Sequence, residues 1–178
     1  MAAPLVTERL RLRRWHDEDR APFARLNADP RVTEYLPYPL TRAESDALVD
    51  RFEALFDGRG FGPWAVERRD DGAFLGFLGL LLPPPTVPHA AEVEIAWRLG
   101  PRAWGRGFAT EAARATLADA FGRLGLSGLV SITAETNRRS QRVMQRIGMS
   151  EDPDARFEHP ALLPGHALRP HVLYRLRR

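Results

Sequence analysis

The 178-residue sequence contains no cysteine and no lysine, and all 26 of its basic residues are arginine. Without cysteine it can form no disulfide, cysteine nucleophile, thiolate zinc site or iron–sulfur cluster. Without lysine it has neither a Schiff base nor a Walker-type phosphate loop. No apolar run approaches the roughly 18 residues of a membrane span. The opening Met1–Val6 lacks the basic region and apolar core of a secretory signal, so the expected location is the cytoplasm. The histidines His16, His89, His159, His166 and His171 show no metal-ligand spacing, so no metal is expected.

What remains is 44% hydrophobic and 28% charged, which excludes a disordered chain and suits one domain over residues 1–178. A formal charge of only +3 coexists with a pI near 10.1 because little besides histidine and tyrosine titrates below arginine. The high pI is therefore weak support for a nucleic-acid partner, even with Arg175, Arg177 and Arg178 clustered at the end.

Leu10 and Leu12 alternate with arginines, a half-buried strand pattern. Asp17-Glu18-Asp19 suits a helix start, continued by Phe23 and Leu26 and stopped at Asp29-Pro30. Residues 35–40 read as a proline-broken loop. Thr41–Glu44 matches a capping box, opening a second helix that runs to the Gly58–Gly62 break. Strands follow over Pro63–Arg68, Ala73–Leu82 and Glu92–Leu99, with a turn at Asp70-Asp71-Gly72. Gly105–Leu124 predicts a helix with Phe108, Ala112, Ala115, Ala118 and Phe121 inward, and Leu129–Thr133 another strand. Arg138–Ile147 predicts a short helix ended by Gly148, and Arg156–Glu158 with His171–Leu176 closes the sheet. The expected fold class is mixed α/β (α+β), with a mostly antiparallel central sheet of about six or seven strands flanked by helices.

The chemistry concentrates in residues 94–112. A strand runs into a glycine-bearing turn and then a helix start, where unpaired amides and the positive dipole end favour an anion. Gly105 and Gly107 remove side chains that would keep phosphate off those amides, while Arg102 and Arg106 add charge. A tight strand-to-helix connection with solvated arginines is the alternative for the Gly-x-Gly alone.

The longer context resembles the GNAT superfamily of acetyl-CoA-dependent N-acetyltransferases, in the branch typified by the ribosomal-protein acetyltransferases RimJ and RimL. The resemblance rests on Thr7–Arg13, Asp29-Pro30 with Tyr35-Leu36-Pro37, Trp104–Ala112, and Asn137–Ser140 with Ile147-Gly148-Met149. It spans residues 5–176 in order. One departure is Trp104, which stands where the general superfamily pattern begins with glutamine or arginine; Arg102 fits that pattern only in a shifted register.

The resemblance implies acetyl-CoA as cosubstrate and a primary amine as acceptor, either a protein N-terminus or a small molecule, with the protein a monomer or homodimer. By position, the backbone of Trp97, Arg98 and Leu99 would pair with pantetheine as an added strand. The segment Trp104, Gly105, Arg106, Gly107, Phe108, Ala109 and Thr110 would hold the pyrophosphate. Asn137 would bond pantetheine, or simply cap its helix. Ser140, one turn on, would contact or protonate the leaving sulfur, against the alternative of a solvent-facing serine. Glu94 is the leading base, with Glu92 two residues earlier and Glu158 near the sheet's end as further candidates. Glu111 is read as a support for the helix start, and His166 and His171 as lining an acceptor cleft or lying on ordinary loops. A competing expectation is a non-catalytic acyl-CoA-binding module with the same cradle.

Overall fold

The N-terminal leucines do alternate in a strand, but the opening segment is a hairpin. In the computed structural model, which describes residues 2–178, β1 (Leu5–Val6) pairs antiparallel with β2 (Leu10–Arg13). Arg13 turns inward, 8% exposed, because Asp19 at 2.6 Å and Glu67 at 2.7 Å close around its guanidinium. These are charge-assisted bonds that a buried arginine requires.

The helices α1 (Asp17–Ala28), α2 (Pro30–Thr33) and α3 (Arg42–Arg59) follow. The capping box forms as the sequence predicts: the Glu44 amide donates to Thr41 Oγ1 at 3.2 Å, and the Thr41 amide donates to Glu44 Oε2 at 2.8 Å. The chain then forms β3 (Pro63–Arg68), β4 (Phe74–Leu81), β5 (Glu94–Leu99), α4 (Phe108–Gly122), β6 (Gly128–Ala134), α5 (Arg138–Arg146), β7 (Ser150–Glu151), β8 (Phe157–Glu158) and β9 (Pro170–Arg177).

These strands make one nine-stranded sheet in the order β1-β2-β3-β4-β5-β6-β9-β7, with β8 also on β9. All pairings are antiparallel except β5 with β6. The count exceeds six or seven because the first expected strand splits in two and β7 adds a two-residue edge.

Two further boundaries move for physical reasons. The strand expected from Glu92 begins at Glu94, since the Glu92 amide closes a turn onto the His89 carbonyl at 2.9 Å. The helix expected from Gly105 begins at Phe108, since Gly105 and Gly107 sit at φ 71° and 79°, outside helical space. The inward face of α4 is Phe108, Ala112, Ala113, Thr116, Leu117 and Ala120, while Ala118 is exposed. A spacing of three repeated from Ala112 drifts round the helix, whereas alternating steps of three and four stay on one side.

A core of Trp15, Phe23, Val49, Phe52, Ala65 and Phe77 lies under α1 and α3. A second core, including Leu10, Leu12, Leu78, Ile95, Ala112 and Met144, lies under α4 and α5. Between β5 and β6 the ladder is short. Glu94 and Val130 are the registered pair, and beyond them the Ser131 hydroxyl donates to the Ile95 carbonyl at 2.8 Å in place of a backbone amide. No helix among the described residues is long and apolar enough to cross a membrane.

Candidate active site

The parting of β5 from β6 opens a cavity of about 640 Å³ that reaches both faces of the sheet. On the α4 side it is bordered by Trp97, Leu99, Gly105, Gly107–Thr110, Asn137 and Ser140; on the α1–α3 side by Tyr35, Phe52, Phe77, Glu94 and Arg98. Trp104 borders it as well. The structure thus gathers most of the candidate residues in one place. Four lie elsewhere. Glu92 pairs with Arg175, and Glu158 pairs with Arg169 at 2.9 Å. Arg102 and Arg106 are exposed and outside this cavity, Arg106 bordering a separate depression with Arg9, Arg68 and Arg69.

The strand side is set by the two-residue period of β5. The Val93 and Ile95 carbonyls both accept bonds from β6, so the backbone of Trp97 and Leu99 faces the same way. The Leu99 carbonyl is taken by Trp104 Nε1 at 2.7 Å. The Trp97 N–H and C=O are left facing the gap, where an extended ligand can pair with them. Arg98, one position out of phase, turns its backbone to β4 opposite Phe77 and presents only its side chain to the cavity.

At the helix start, no acceptor among the described residues takes the amides of 105–110. An ordinary helix leaves only its first four free. Nothing lies within 4 Å of where a Cβ would stand on Gly105, so an anion can approach those amides. Glu111 steadies the turn from outside, accepting from Thr7 Oγ1 at 2.6 Å, the Arg9 amide at 2.9 Å and Arg9 Nε at 2.7 Å. Burial alone would raise the Glu111 carboxyl, but those three donors outweigh it and hold its pKa below the ordinary value. The opening Thr7–Arg9 motif therefore acts as a clamp on α4. Of the arginines that border the cavity, Arg139, Arg142 and Arg146 come from α5, and Arg139 stacks 4.8 Å over the Trp104 ring.

Asn137 is the cap of α5. Its Oδ1 accepts the Ser140 amide at 3.2 Å, and its Nδ2 donates to Thr133 Oγ1 at 2.9 Å. Across the cavity, burial pushes the Glu94 carboxyl up, against a smaller downward pull from His89, whose Nε2 stands 3.9 Å away.

Beyond Glu94 lies a group the sequence reading left unassembled. His89, His159 and His171 gather round Phe157, with His159 and His171 rings 4.7 Å apart. His159 and His171 border the cavity, and burial holds the His171 imidazole down at about 4. Its Nδ1 lies 3.1 Å from the Arg169 carbonyl, which can only accept, so that nitrogen carries the proton. His166 does not join them; it bonds within its own loop. The three clustered histidines come from two loops and a strand with no regular spacing, so only the tertiary fold reveals the cluster. Among the described residues, no group of His, Asp and Glu is placed to hold a metal ion.

Residues 9–150 match the acetyltransferase (GNAT) domain family. The chain belongs to the GNAT acetyltransferase family. It is 33% identical over 146 residues to the uncharacterized protein YkkB of Bacillus subtilis (strain 168), covering 82% of this chain and 84% of that one. An acetyltransferase from Agrobacterium tumefaciens str. C58 shares 29% identity and a TM-score of 0.82, covering 100% of this chain and 96% of the other. The RimL ribosomal L7/L12 alpha-N-protein acetyltransferase, solved in complex with coenzyme A, shares the fold with a TM-score of 0.77 at 16% identity, covering 98% of both chains.

This GNAT chain is an acetyl-CoA-dependent N-acetyltransferase. The residues present fit the cosubstrate: free amides at 105–110 suit the pyrophosphate, and the open Trp97 backbone suits an amide-bearing arm.

Proposed function

We propose that the enzyme moves the acetyl group directly to a primary amine in a ternary complex, the amine being a protein N-terminus or a small molecule. One observation carries this reading: a single cavity passes through the sheet, with the free amides of residues 105–110 on one face and buried Glu94 on the other. Acetyl-CoA supplies an activated acetyl thioester; the chain's residues supply position and protons. The Trp97 amide is oriented to hold the thioester carbonyl or the neighbouring arm, and such a preset donor lowers the barrier without reorganising. Glu94, with its raised pKa, is suited to take a proton from the amine, directly or through water. Ser140 is suited to donate to the departing sulfur. Holding both substrates in one cavity contributes the proximity term. The absence of cysteine from the sequence removes an acetyl-cysteine relay as a route. The reading places the reaction in the cytoplasm.

The test is thiol release from acetyl-CoA against a panel of small amines and N-terminal peptides. Turnover on at least one amine is expected. Tight acetyl-CoA binding with no turnover on any of them would replace the reading with a non-catalytic acyl-CoA-binding module.

A further inference from the structure

Arg98 has no ionic partner in a place where an arginine needs one. Its Nη1 donates to Asn27 Oδ1 at 2.7 Å, and Asn27 in turn donates to Ser45 Oγ at 2.8 Å, so the visible partners are neutral. Its guanidinium lies 5.7 Å over the Phe77 ring and borders the cavity on the α1–α3 side. A guanidinium carries five N–H groups. Only one of them has an acceptor among the described residues, and none of the described carboxylates pairs with it. Burial with no compensating anion lowers its pKa to about 10. Every other enclosed arginine in the molecule is treated differently: Arg13 holds both Asp19 and Glu67, and Arg14 holds Glu53 and Asp57. Leaving a cation desolvated and unpaired is costly unless a bound partner completes it.

Arg98 and Glu94 share one face of β5, four residues and thus about 13 Å apart along the strand. Both reach the acceptor side of the gap, away from the anion-binding turn at the start of α4. We propose that the acceptor amine carries a carboxylate near its nitrogen, and that Arg98 is the specificity residue that binds it. The idea rests on the amine-acetylating reading above and narrows its substrate class. The carboxylate can be the α-carboxylate of a free amino acid or the side chain of an acidic residue at a peptide's N-terminus; both present the same planar anion to the guanidinium fork. The apolar walls from Leu48, Phe52, Phe77 and Leu81 suit a hydrophobic remainder.

The experiment uses the whole enzyme and matched acceptors, with kcat/KM corrected for the fraction of neutral amine. One arm compares L-leucine, L-leucinamide and 3-methylbutylamine; a second compares C-terminally amidated Asp-Ala-Leu with Asn-Ala-Leu. The wild type should favour the carboxylate member of at least one arm by roughly 30-fold or more, and the arm that responds identifies the source. Arg98→Gln, which keeps a donor for Asn27, should abolish that preference, the loss of kcat/KM falling on the carboxylate-bearing acceptor of the pair. Arg98→Lys serves if the glutamine variant misfolds, and should retain part of the preference. Equal use of both members in both arms overturns the proposal. So does a variant that raises the acetyl-CoA KM and leaves acceptor choice unchanged. If no amine turns over, the function reading fails by itself. Calorimetric titration of L-leucine and of amidated Asp-Ala-Leu into the CoA-loaded protein then decides this one: Arg98-dependent binding of either sustains it, and no binding of either ends it.

Discussion

Asn137 Nδ2 donates to Ser140 Oγ at 3.2 Å while Asn137 Oδ1 accepts the Ser140 amide, so the asparagine holds the serine from both sides. With its oxygen already accepting a bond, the hydroxyl hydrogen is free to point into the cavity. Ser140→Ala should lower kcat by about 10²-fold, the lower end of general acid–base contributions, with the acetyl-CoA KM nearly unchanged. Steady-state thiol release separates the two quantities. Equal activity would remove Ser140 from the chemistry. Asn137→Ala should reproduce the kcat loss and also cost about 1 kcal/mol of stability as a lost cap.

Gly107 is the second test. Its φ of 79° favours glycine, and a Cβ there would stand 3.5 Å from Arg9 Nη2. Gly107→Ala should cost about 1 kcal/mol through strain and weaken cosubstrate binding modestly. Gly107→Glu should abolish acetyl-CoA binding in calorimetry, since its carboxylate occupies the place of the anion. Unchanged affinity in the glutamate variant would refute the anion-binding turn.

Glu94 predicts an acid limb in the pH profile. A base must be ionised, and this carboxyl titrates above its ordinary value, so kcat/KM should rise with pH through that raised pKa. Glu94→Gln should flatten the limb and cut kcat, while Glu92→Gln and Glu158→Gln, outside the cavity, leave it intact. The stability sign runs opposite to activity. A raised folded-state pKa stabilises below the unfolded carboxyl pKa, and that contribution is lost as pH rises through the folded value. Glu94→Gln should therefore have the higher Tm at neutral pH, measurable by scanning calorimetry.

Arg13 tests stability apart from catalysis. Asp19 is 4% exposed, and the Arg13 guanidinium donates to both of its carboxylate oxygens. Arg13→Ala should cost about 3–5 kcal/mol by stranding that carboxylate, read as a lower midpoint in urea unfolding.

The fold was legible where local chemistry decides it. The Thr41–Glu44 box, the β3–β4 hairpin and the Asn137 cap are all specified by neighbours in sequence. The strand, turn and helix start that line one side of the cavity were legible too, because one continuous segment carries all three. What escaped depends on distant partners. Arg13 reads as one more outward arginine until Asp19 and Glu67 close on it. Glu92 and Glu94 look equivalent on a period-two strand until a turn onto His89 removes Glu92 from it. His89, His159 and His171 lie far apart in the chain, and no spacing announces their meeting.

The single backbone register pair joining β5 to β6 divides the sheet into two half-sheets, β1–β5 and β6–β9, sutured where the Val130 amide meets the Val93 carbonyl and the Ser131 hydroxyl meets the Ile95 carbonyl. A ligand lying in that suture acts as mortar as well as reactant. Its occupancy adds RT ln(1 + [L]/Kd) to stability, about 2.7 kcal/mol at a hundred times Kd. Amides facing the gap, at Trp97 and Ile132, should then exchange hydrogen faster in the free protein than their strand neighbours and slow most on loading. The enzyme's rigidity along this line would follow the cell's acetyl-CoA supply.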